Sequence, residues 1–231
     1  MVWDTGSDWI VIASHQCTNC DGVVYDHSEE TSFEKLNAQG ELFYGTAYAR
    51  GYFATDLVCT LKDVNSCAPI DMLIMTYQEG FKGISGIVGM STGLYGNSAP
   101  LLIEELFYDG KISEPVFGFY LGSTHEESFL DIGFISESAM RDPSELVWLP
   151  VVNNDFWWTN FITGISFTTP QQTKPLSVSL PRTLAMTDTG TSCTYFPSLY
   201  FKEIIGILKE LESSWYRDDY GDIGIPCDQI N

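Results

Sequence analysis

Asp-Thr-Gly occurs twice in this chain, within Val2-Trp3-Asp4-Thr5-Gly6-Ser7 and within Met186-Thr187-Asp188-Thr189-Gly190-Thr191. Each copy has apolar neighbours before the Asp and a hydroxyl residue after the Gly. One copy alone reads as a turn, because Asp and Gly are turn formers. Two copies in the same setting, separated by more than a small domain's length, point to two related lobes. Each lobe then gives one carboxylate to a shared site.

A carboxylate pair suits amide hydrolysis without a covalent intermediate. Two carboxyls held close together cannot both ionise easily, so they share a proton. The charged one draws a proton from water, and the protonated one polarises the scissile carbonyl. Gly6 and Gly190 allow close backbone approach. The hydroxyls of Ser7 and Thr191 can orient the carboxylates, and Thr5 and Thr189 can bond across the lobe junction. No metal and no organic cofactor is needed.

The chain has 231 residues and is 44% hydrophobic, enough for a sizeable core divided between two lobes. Its formal charge is -20, with 11 Lys plus Arg against 31 Asp plus Glu. That excess argues against nucleic acid and anionic membrane as partners and fits work in acid. No stretch is apolar and long enough to span a bilayer. The first residues do not form a signal peptide, since a basic segment is missing and Asp4 and Asp8 interrupt the apolar run.

Along the chain, Trp9 to Ala13 reads as a buried strand leaving Asp4. Cys17-Thr18-Asn19-Cys20 can be half a zinc site, a redox pair or a local disulfide. A second Cys-x-x-Cys is missing and no thioredoxin-like elements flank it, so a disulfide is the favoured reading, with His15 a solvated loop residue. Thr31 to Val58 reads as strands with turns at Gly40, Gly45 and Gly51. Cys59 and Cys67 flank a polar turn, a spacing that suits a disulfide closing a hairpin. A helix is expected from Ser98-Ala99-Pro100 to about Tyr108, with Ser98 as cap, Pro100 in the first turn and Gly110 as the stop. Val116 to Leu121 and Phe129 to Gly133 read as strands of a sheet that joins the lobes. A second helix is expected from a Ser198 cap to about Ser213, burying Ile204, Ile205, Leu208 and Leu211. Asp218, Asp219 and Asp222 lie in a Gly-containing turn whose spacing does not suit calcium. Cys193 reads as a buried free thiol or a partner of Cys227.

Asp4-Thr5-Gly6-Ser7, Tyr44-Gly45-Thr46, Gly86-Ile87-Val88-Gly89, Trp148-Leu149-Pro150-Val151 and Asp188-Thr189-Gly190-Thr191 together resemble the pepsin-like (A1) aspartic proteases, over essentially the whole chain. The resemblance implies a mainly β, bilobal acid-protease fold with a few short helices and an incomplete second lobe. Residues 1–136 would be the N-terminal lobe with Asp4 and the flap, its first strands missing. Residues 137–231 would be part of the C-terminal lobe with Asp188, and the chain an incomplete stretch of a longer protein, unstable and nearly inactive when expressed alone. The implied activity is an aspartic endopeptidase cleaving between bulky apolar residues of an extended peptide or protein substrate, as a monomer. Asp4 and Asp188 would be catalytic. Gly6, Ser7, Tyr44, Gly45, Thr46, Ile87, Phe156, Gly190 and Thr191 would bind substrate, with Tyr44 covering the dyad from a flap hairpin.

Ile87 and Phe156 read equally well as plain core. The family's small disulfide loop matches Cys17–Cys20, and its late disulfide starts at a position matching Cys227. The family usually has Trp where this chain has Val11, and Gly where it has Ala47. Trp9 can stand in for the first, and the second stiffens the flap tip. Cysteines and family together imply a secreted or lysosomal/vacuolar protein. A non-catalytic pepsin-like binding module, or an inactive fragment, is the alternative. A retroviral-type protease, with one motif per chain, is disfavoured by the two copies.

Overall fold

The computed structural model describes residues 1–28, 32–93, 99–122, 127–152, 156–167, 175–211, 216–217 and 223–224. The chain is mainly β. It divides into two compact units, Met1–Thr159 with Met186–Thr191, and Asn160–Ala185 with Ser192–Asn231.

In the first unit, six strands form one sheet: β1 (Val2–Asp4), β2 (Ile10–Ala13), β3 (Glu34–Phe43), β4 (Tyr48–Cys59), β5 (Cys67–Glu79) and β6 (Gly86–Gly89). Their order is β1-β6-β2-β5-β4-β3. The central strands are apolar almost without interruption because both faces of the sheet are covered. Successive side chains point to opposite faces. Ile70, Met72 and Ile74 of β5, Ile10 of β2 and Val88 of β6 therefore enter one core with Leu102 and Leu106. Leu73 and Met75, Val11 and Ala13, and Ile87 enter a second core with Phe81 on the other face. Leu73, Ile74 and Met75 are each 0% exposed. Fully burying a side chain of this size contributes about 1.5–3 kcal/mol.

Gly40 and Gly51 are not turns. They lie inside β3 and β4 and pair directly with each other. Both serve close approach rather than reversal of the chain. A Cβ on Gly51 would stand 1.9 Å from the carbonyl oxygen of Ile74, and one on Gly40 would stand 2.4 Å from the Phe53 ring. The register of β4 on β5 shifts between Arg50 and Gly51, a bulge at the same spot. Gly51→Ala must therefore displace backbone in the middle of the sheet. It is expected to cost roughly 3 kcal/mol or more, at the upper end of single-site effects. Chemical denaturation checks this, and an unchanged midpoint would mean that the sheet yields at that point.

A seven-residue helix, α1 (Leu102–Tyr108), covers the first core with Leu102, Ile103 and Leu106. It begins later than the sequence suggests. Pro100 precedes it, Leu101 occupies the N-cap without a side-chain bond, and Ser98 falls outside the described residues. Its end is as expected: Gly110 has φ +65°. There Gly110 N–H donates to Phe107 O (3.0 Å) and Lys111 N–H to Leu106 O (2.8 Å), satisfying the last carbonyls. The strands β7 (Phe117–Tyr120) and β8 (Phe129–Ile132) pair antiparallel as a separate two-stranded sheet. Phe117, Phe119, Leu130 and Ile132 pack on the first core.

Cys17–Cys20 and Cys59–Cys67 are disulfide-bonded. His15 faces Asp26, with Nδ1 3.4 Å from Oδ1. Among the described residues, no three His, Cys, Asp or Glu side chains are grouped to hold a metal ion. No helix among them is long and apolar enough to cross a membrane.

The second unit holds all but the first residue of β9 (Thr159–Phe167) and all but the last of β10 (Leu176–Met186), paired as a two-stranded sheet, then α2 (Ser198–Leu211) and the short antiparallel pair β11 (Tyr216–Arg217) and β12 (Ile223–Gly224). Val178, Leu180 and Ile204 are its buried centre, joined by Tyr200, Ile207 and Leu208 at helical spacing. Ile205 is half-buried. Ser198 is the first helical residue rather than a flanking cap, and the carbonyl of Pro197 takes the first helical N–H bonds, from Tyr200 and Phe201. Cys193 is exposed, not buried. Ser213, Asp218, Asp219, Asp222, Cys227 and the Leu211 side chain lie outside the described residues.

Candidate active site

The two Asp-Thr-Gly loops meet in the first unit, and each continues the same local geometry. Gly6 N–H donates to Asp4 Oδ1 at 2.9 Å, and Ser7 Oγ–H to Asp4 Oδ2 at 2.5 Å. Gly190 N–H donates to Asp188 Oδ1 at 2.9 Å, and Thr191 Oγ1–H donates to Asp188 Oδ2. In each copy, the residues after the Asp thus fold back on its carboxylate. One backbone and one hydroxyl donor fix its plane.

The threonines tie the copies together reciprocally. Thr5 N–H donates to Thr189 Oγ1 (3.1 Å), and Thr189 N–H donates to Thr5 Oγ1 (3.0 Å). Each hydroxyl then donates onward, Thr5 to Thr187 O (2.9 Å) and Thr189 to Trp3 O (2.6 Å). Both hydroxyls act as donor and acceptor at once.

Each glycine lies against the opposite carboxylate. A Cβ on Gly6 would stand 2.7 Å from Asp188 Oδ1, and a Cβ on Gly190 would stand 2.3 Å from Asp4 Oδ1. Only a residue without a side chain leaves both carboxylates in place.

Asp4 is 6% exposed, whereas Asp188 is half-buried. Burial pushes the Asp4 carboxyl above its ordinary value of 3.8, and the neighbouring Asp188 adds to the rise. The bonds from Ser7 and Gly6 oppose it without cancelling it.

The apolar-apolar-Gly segment supports this loop from below. β6 runs parallel to β1, with Gly89 beside Asp4. Met90 N–H donates to Asp4 O (2.8 Å) and Ser91 N–H to Ser7 O (3.0 Å).

Tyr44 sits at the turn between β3 and β4, where its N–H donates to Ala47 O at 2.8 Å. Its ring meets Phe81 edge-on, with centroids 5.6 Å apart. It packs on the second core beside Trp9, Ile84 and Phe53. Trp9 lies in the same core as Tyr44, and Val11 is fully buried within it. The Tyr44 hydroxyl oxygen is buried with no hydrogen-bond partner among the described residues. Burial first, then the charges of Asp4 and Asp8, push its pKa up, so it stays a neutral phenol. Removing an unpartnered buried hydroxyl relieves a cost of about 1 kcal/mol or more. Tyr44→Phe is therefore expected to melt higher than the wild type, by roughly 2–4 °C in a chain of this length; a lower melting temperature would show that the hydroxyl has found a partner in solution.

Gly45 and Thr46 are exposed at the hairpin turn. Ile87 is 8% exposed, inside the second core. The carbonyl of Phe156 accepts from Thr92 N–H and Oγ1–H, both at 3.2 Å, and its ring packs on Trp157.

Some contacts carried no local sequence signal. Trp157 Nε1–H donates to Gly6 O (3.2 Å), and Trp158 Nε1–H donates to Met90 O (2.8 Å). The run Phe156-Trp157-Trp158 is aromatic throughout, which does not tell which carbonyls its indoles reach.

The paired Asp-Thr-Gly loops, bonded through their threonines with each glycine against the opposite carboxylate, form the candidate site. The profile of the eukaryotic aspartyl proteases matches residues 1–231, and the chain belongs to that family. Relatives include gastricsin of Mus musculus, 25% identical over 240 residues, covering 100% of this chain and 58% of the relative. The vacuolar aspartic protease of Candida albicans is 27% identical, covering 93% of this chain and 51% of the relative. Rhizopuspepsin-4 of Rhizopus niveus is 27% identical, covering 98% and 55%. The chain therefore spans just over half the length of these relatives.

Proposed function

We propose that this chain carries the catalytic centre of an aspartic endopeptidase, with Asp4 and Asp188 as its catalytic residues. The observation that carries the reading is the mutual arrangement of the two carboxylates, each oriented by a backbone N–H and a hydroxyl. In the resting chain, burial biases the shared proton toward Asp4. Asp188 then acts as the base.

Water attacks the scissile carbonyl carbon as its proton passes to Asp188, and the proton of Asp4 moves onto the carbonyl oxygen. The resulting tetrahedral diol collapses. Its C–N bond breaks as a dyad proton reaches the leaving nitrogen, and the other dyad oxygen recovers a proton from the diol.

Tyr44 closes over the substrate and excludes water. The backbone and hydroxyl groups of Gly6, Ser7, Gly45, Thr46, Gly190 and Thr191 bond an extended peptide, and Ile87 and Phe156 supply apolar contact. The substrate is a peptide or unfolded protein, cleaved at acid pH by a monomer. The two disulfides, and the vacuolar aspartic protease among the relatives, support a secretory or vacuolar setting.

The full-length protein should hydrolyse denatured globin at acid pH, and a statine-type transition-state mimic should block it. Inhibition by a chelator or a serine-directed reagent, with the statine mimic inert, would exclude this mechanism.

A further inference from the structure

Past β2 the chain keeps running alongside β5. Ser14 N–H donates to Met75 O (3.1 Å) and Thr18 N–H to Thr76 O (3.2 Å). Asn19, inside the loop closed by Cys17 and Cys20, then meets Gln78 near the end of β5. Asn19 Nδ2–H donates to Gln78 O at 2.6 Å, and Gln78 N–H donates to Asn19 Oδ1 at 3.1 Å. One side-chain amide thus serves both backbone groups of a strand residue, as a neighbouring strand would. Gln78 Nε2–H returns to Asn19 O at 2.9 Å. At the other end of that side chain, Gln78 Oε1 accepts from Phe81 N–H at 2.8 Å. Asp21 Oδ1 accepts from Gly83 N–H at 3.2 Å, further along the same turn. Gln78 is 7% exposed and Phe81 2%, whereas Asn19 lies at the surface. The turn held in this way, residues 78–83, supports the hairpin that carries Tyr44. A Cβ on Gly80 would stand 2.3 Å from Thr46 O and 2.9 Å from Ala47 Cα, so turn and hairpin touch backbone to backbone. Beside that contact, the Phe81 ring meets the Tyr44 ring edge-on.

We propose that Asn19 is a positioning residue: through Gln78 and Phe81 it sets where Tyr44 rests, and with it how firmly the flap closes on the substrate. Each link is a hydrogen bond or a packed contact, and all of them lie in the first unit. Because Asn19 is at the surface, removing its amide opens no cavity in the core. It leaves Gln78 N–H and Gln78 O without their partner on that side, and the turn is free to shift. Gly80 and Phe81 keep their contacts with the hairpin, so the shift passes to Thr46, Ala47 and Tyr44. A misplacement of about an ångström in a catalytic group costs about 10²-fold. Here the cover moves while the dyad stays in place, so the loss is smaller, about tenfold. The effect on turnover rests on the proteolytic reading, in which Tyr44 closes over the substrate. The inference goes beyond that reading by naming a residue that supports the flap from outside the substrate site.

The test uses the full-length protein with Asn19→Ala and, as a variant of the same shape, Asn19→Asp, which sets an oxygen against Gln78 O. Hydrogen exchange at neutral pH reads the flap directly, because Tyr44 N–H is bonded to Ala47 O across the hairpin turn. Exchange of the Tyr44 amide should rise at least tenfold in both variants, while the amides of Val11 and Ile12 in β2 stay within twofold of the wild type. Peptide kinetics give the second readout. Asn19→Ala should lower kcat/KM about tenfold in the otherwise unchanged protein. In a protein that already carries Tyr44→Ala it should lower it less than twofold, because the ring it positions is gone. An unchanged Tyr44 amide overturns the proposal. So does exchange that rises equally in β2, the mark of a general loss of structure, or a tenfold loss that persists beside Tyr44→Ala. If the wild type cleaves no peptide, the proteolytic reading fails, and the Tyr44 amide still decides whether Asn19 holds the flap.

Discussion

Asp4→Asn and Asp188→Asn should each lower turnover of the full-length protein by roughly 10³-fold or more while leaving the fold intact. Removing a positioned general acid or base alone removes about 10²–10⁴-fold. Here either change also destroys the proton sharing between the two carboxyls, so the upper part of that range applies. The fold should survive because asparagine keeps an acceptor oxygen. Its oxygen still accepts from Gly6 N–H at Asp4 or from Gly190 N–H at Asp188, and its NH2 group faces the Ser7 or Thr191 hydroxyl, which turns from donor to acceptor. Steady-state kinetics on globin peptides, with circular dichroism as the fold control, checks the pair; either cleanly folded variant retaining more than a tenth of wild-type turnover would rule out the dyad.

Asp4→Asn should also change stability, in a way that depends on pH. The Asp4 carboxyl is pushed above 3.8 mainly by burial, so the folded chain holds that proton more tightly than the unfolded chain does. The sign follows from linkage: between the ordinary value and the raised one, the folded state binds more protons, and stability falls as pH rises. Ionised Asp4 is thus a cost, absent well below 3.8 and fully present above the raised value. Asp4→Asn removes the cost. Relative to wild type, it should gain melting temperature as pH rises from acid toward neutral. A gap that stays constant with pH would mean that Asp4 is not buried as a charge.

Much of the centre is legible in the amino-acid sequence because chemistry and local geometry coincide in it. An Asp followed by Thr-Gly and a hydroxyl residue folds back on itself within four residues, so Ser7 and Thr191 can be assigned from the motif alone. The reciprocal threonine bonds follow from having two copies. The buried strand Ile10–Ala13 is legible as an apolar run, whereas Gly86–Gly89 is singled out only through the family resemblance of its motif.

What escapes are matters of register and end geometry. Gly40 and Gly51 look like turns because glycine serves both reversal and close approach. Only the pairing of β3 with β4 separates the two uses. The start of α1 shifts because Leu102, Ile103 and Leu106 find their core contacts without a side-chain cap, so packing overrides the Ser98-Ala99-Pro100 signal. Cys193 follows an apparently buried motif, but it falls in the second unit, in the irregular stretch before α2, and is exposed. Asp8 is visible in the sequence only as an interruption of an apolar run.

Gly6→Ala and Gly190→Ala should each cost more than 10²-fold in turnover while shifting the melting temperature by only a few degrees. The new methyl groups would meet Asp188 Oδ1 at 2.7 Å and Asp4 Oδ1 at 2.3 Å, both far inside contact distance. Something must move, and what stands in the way is the end of a side chain rather than backbone. Neither glycine carries a positive φ that alanine would resist. The carboxylate therefore rotates away at small cost in stability, but it leaves the plane set by its own N–H and hydroxyl donors. A displacement of about an ångström in a positioned group is enough to lose two orders of magnitude. Gly190→Ala should be the more damaging of the two, because Asp4 is the tighter contact, is more buried and has less room to yield. Gly51→Ala makes the contrast: there the obstacle is the Ile74 carbonyl at 1.9 Å, so the loss should appear in stability first. Measuring kcat and melting temperature on all three variants separates the effects. If Gly190→Ala unfolds the protein while Gly51→Ala leaves it stable, the dyad glycines hold up the fold rather than the geometry of catalysis.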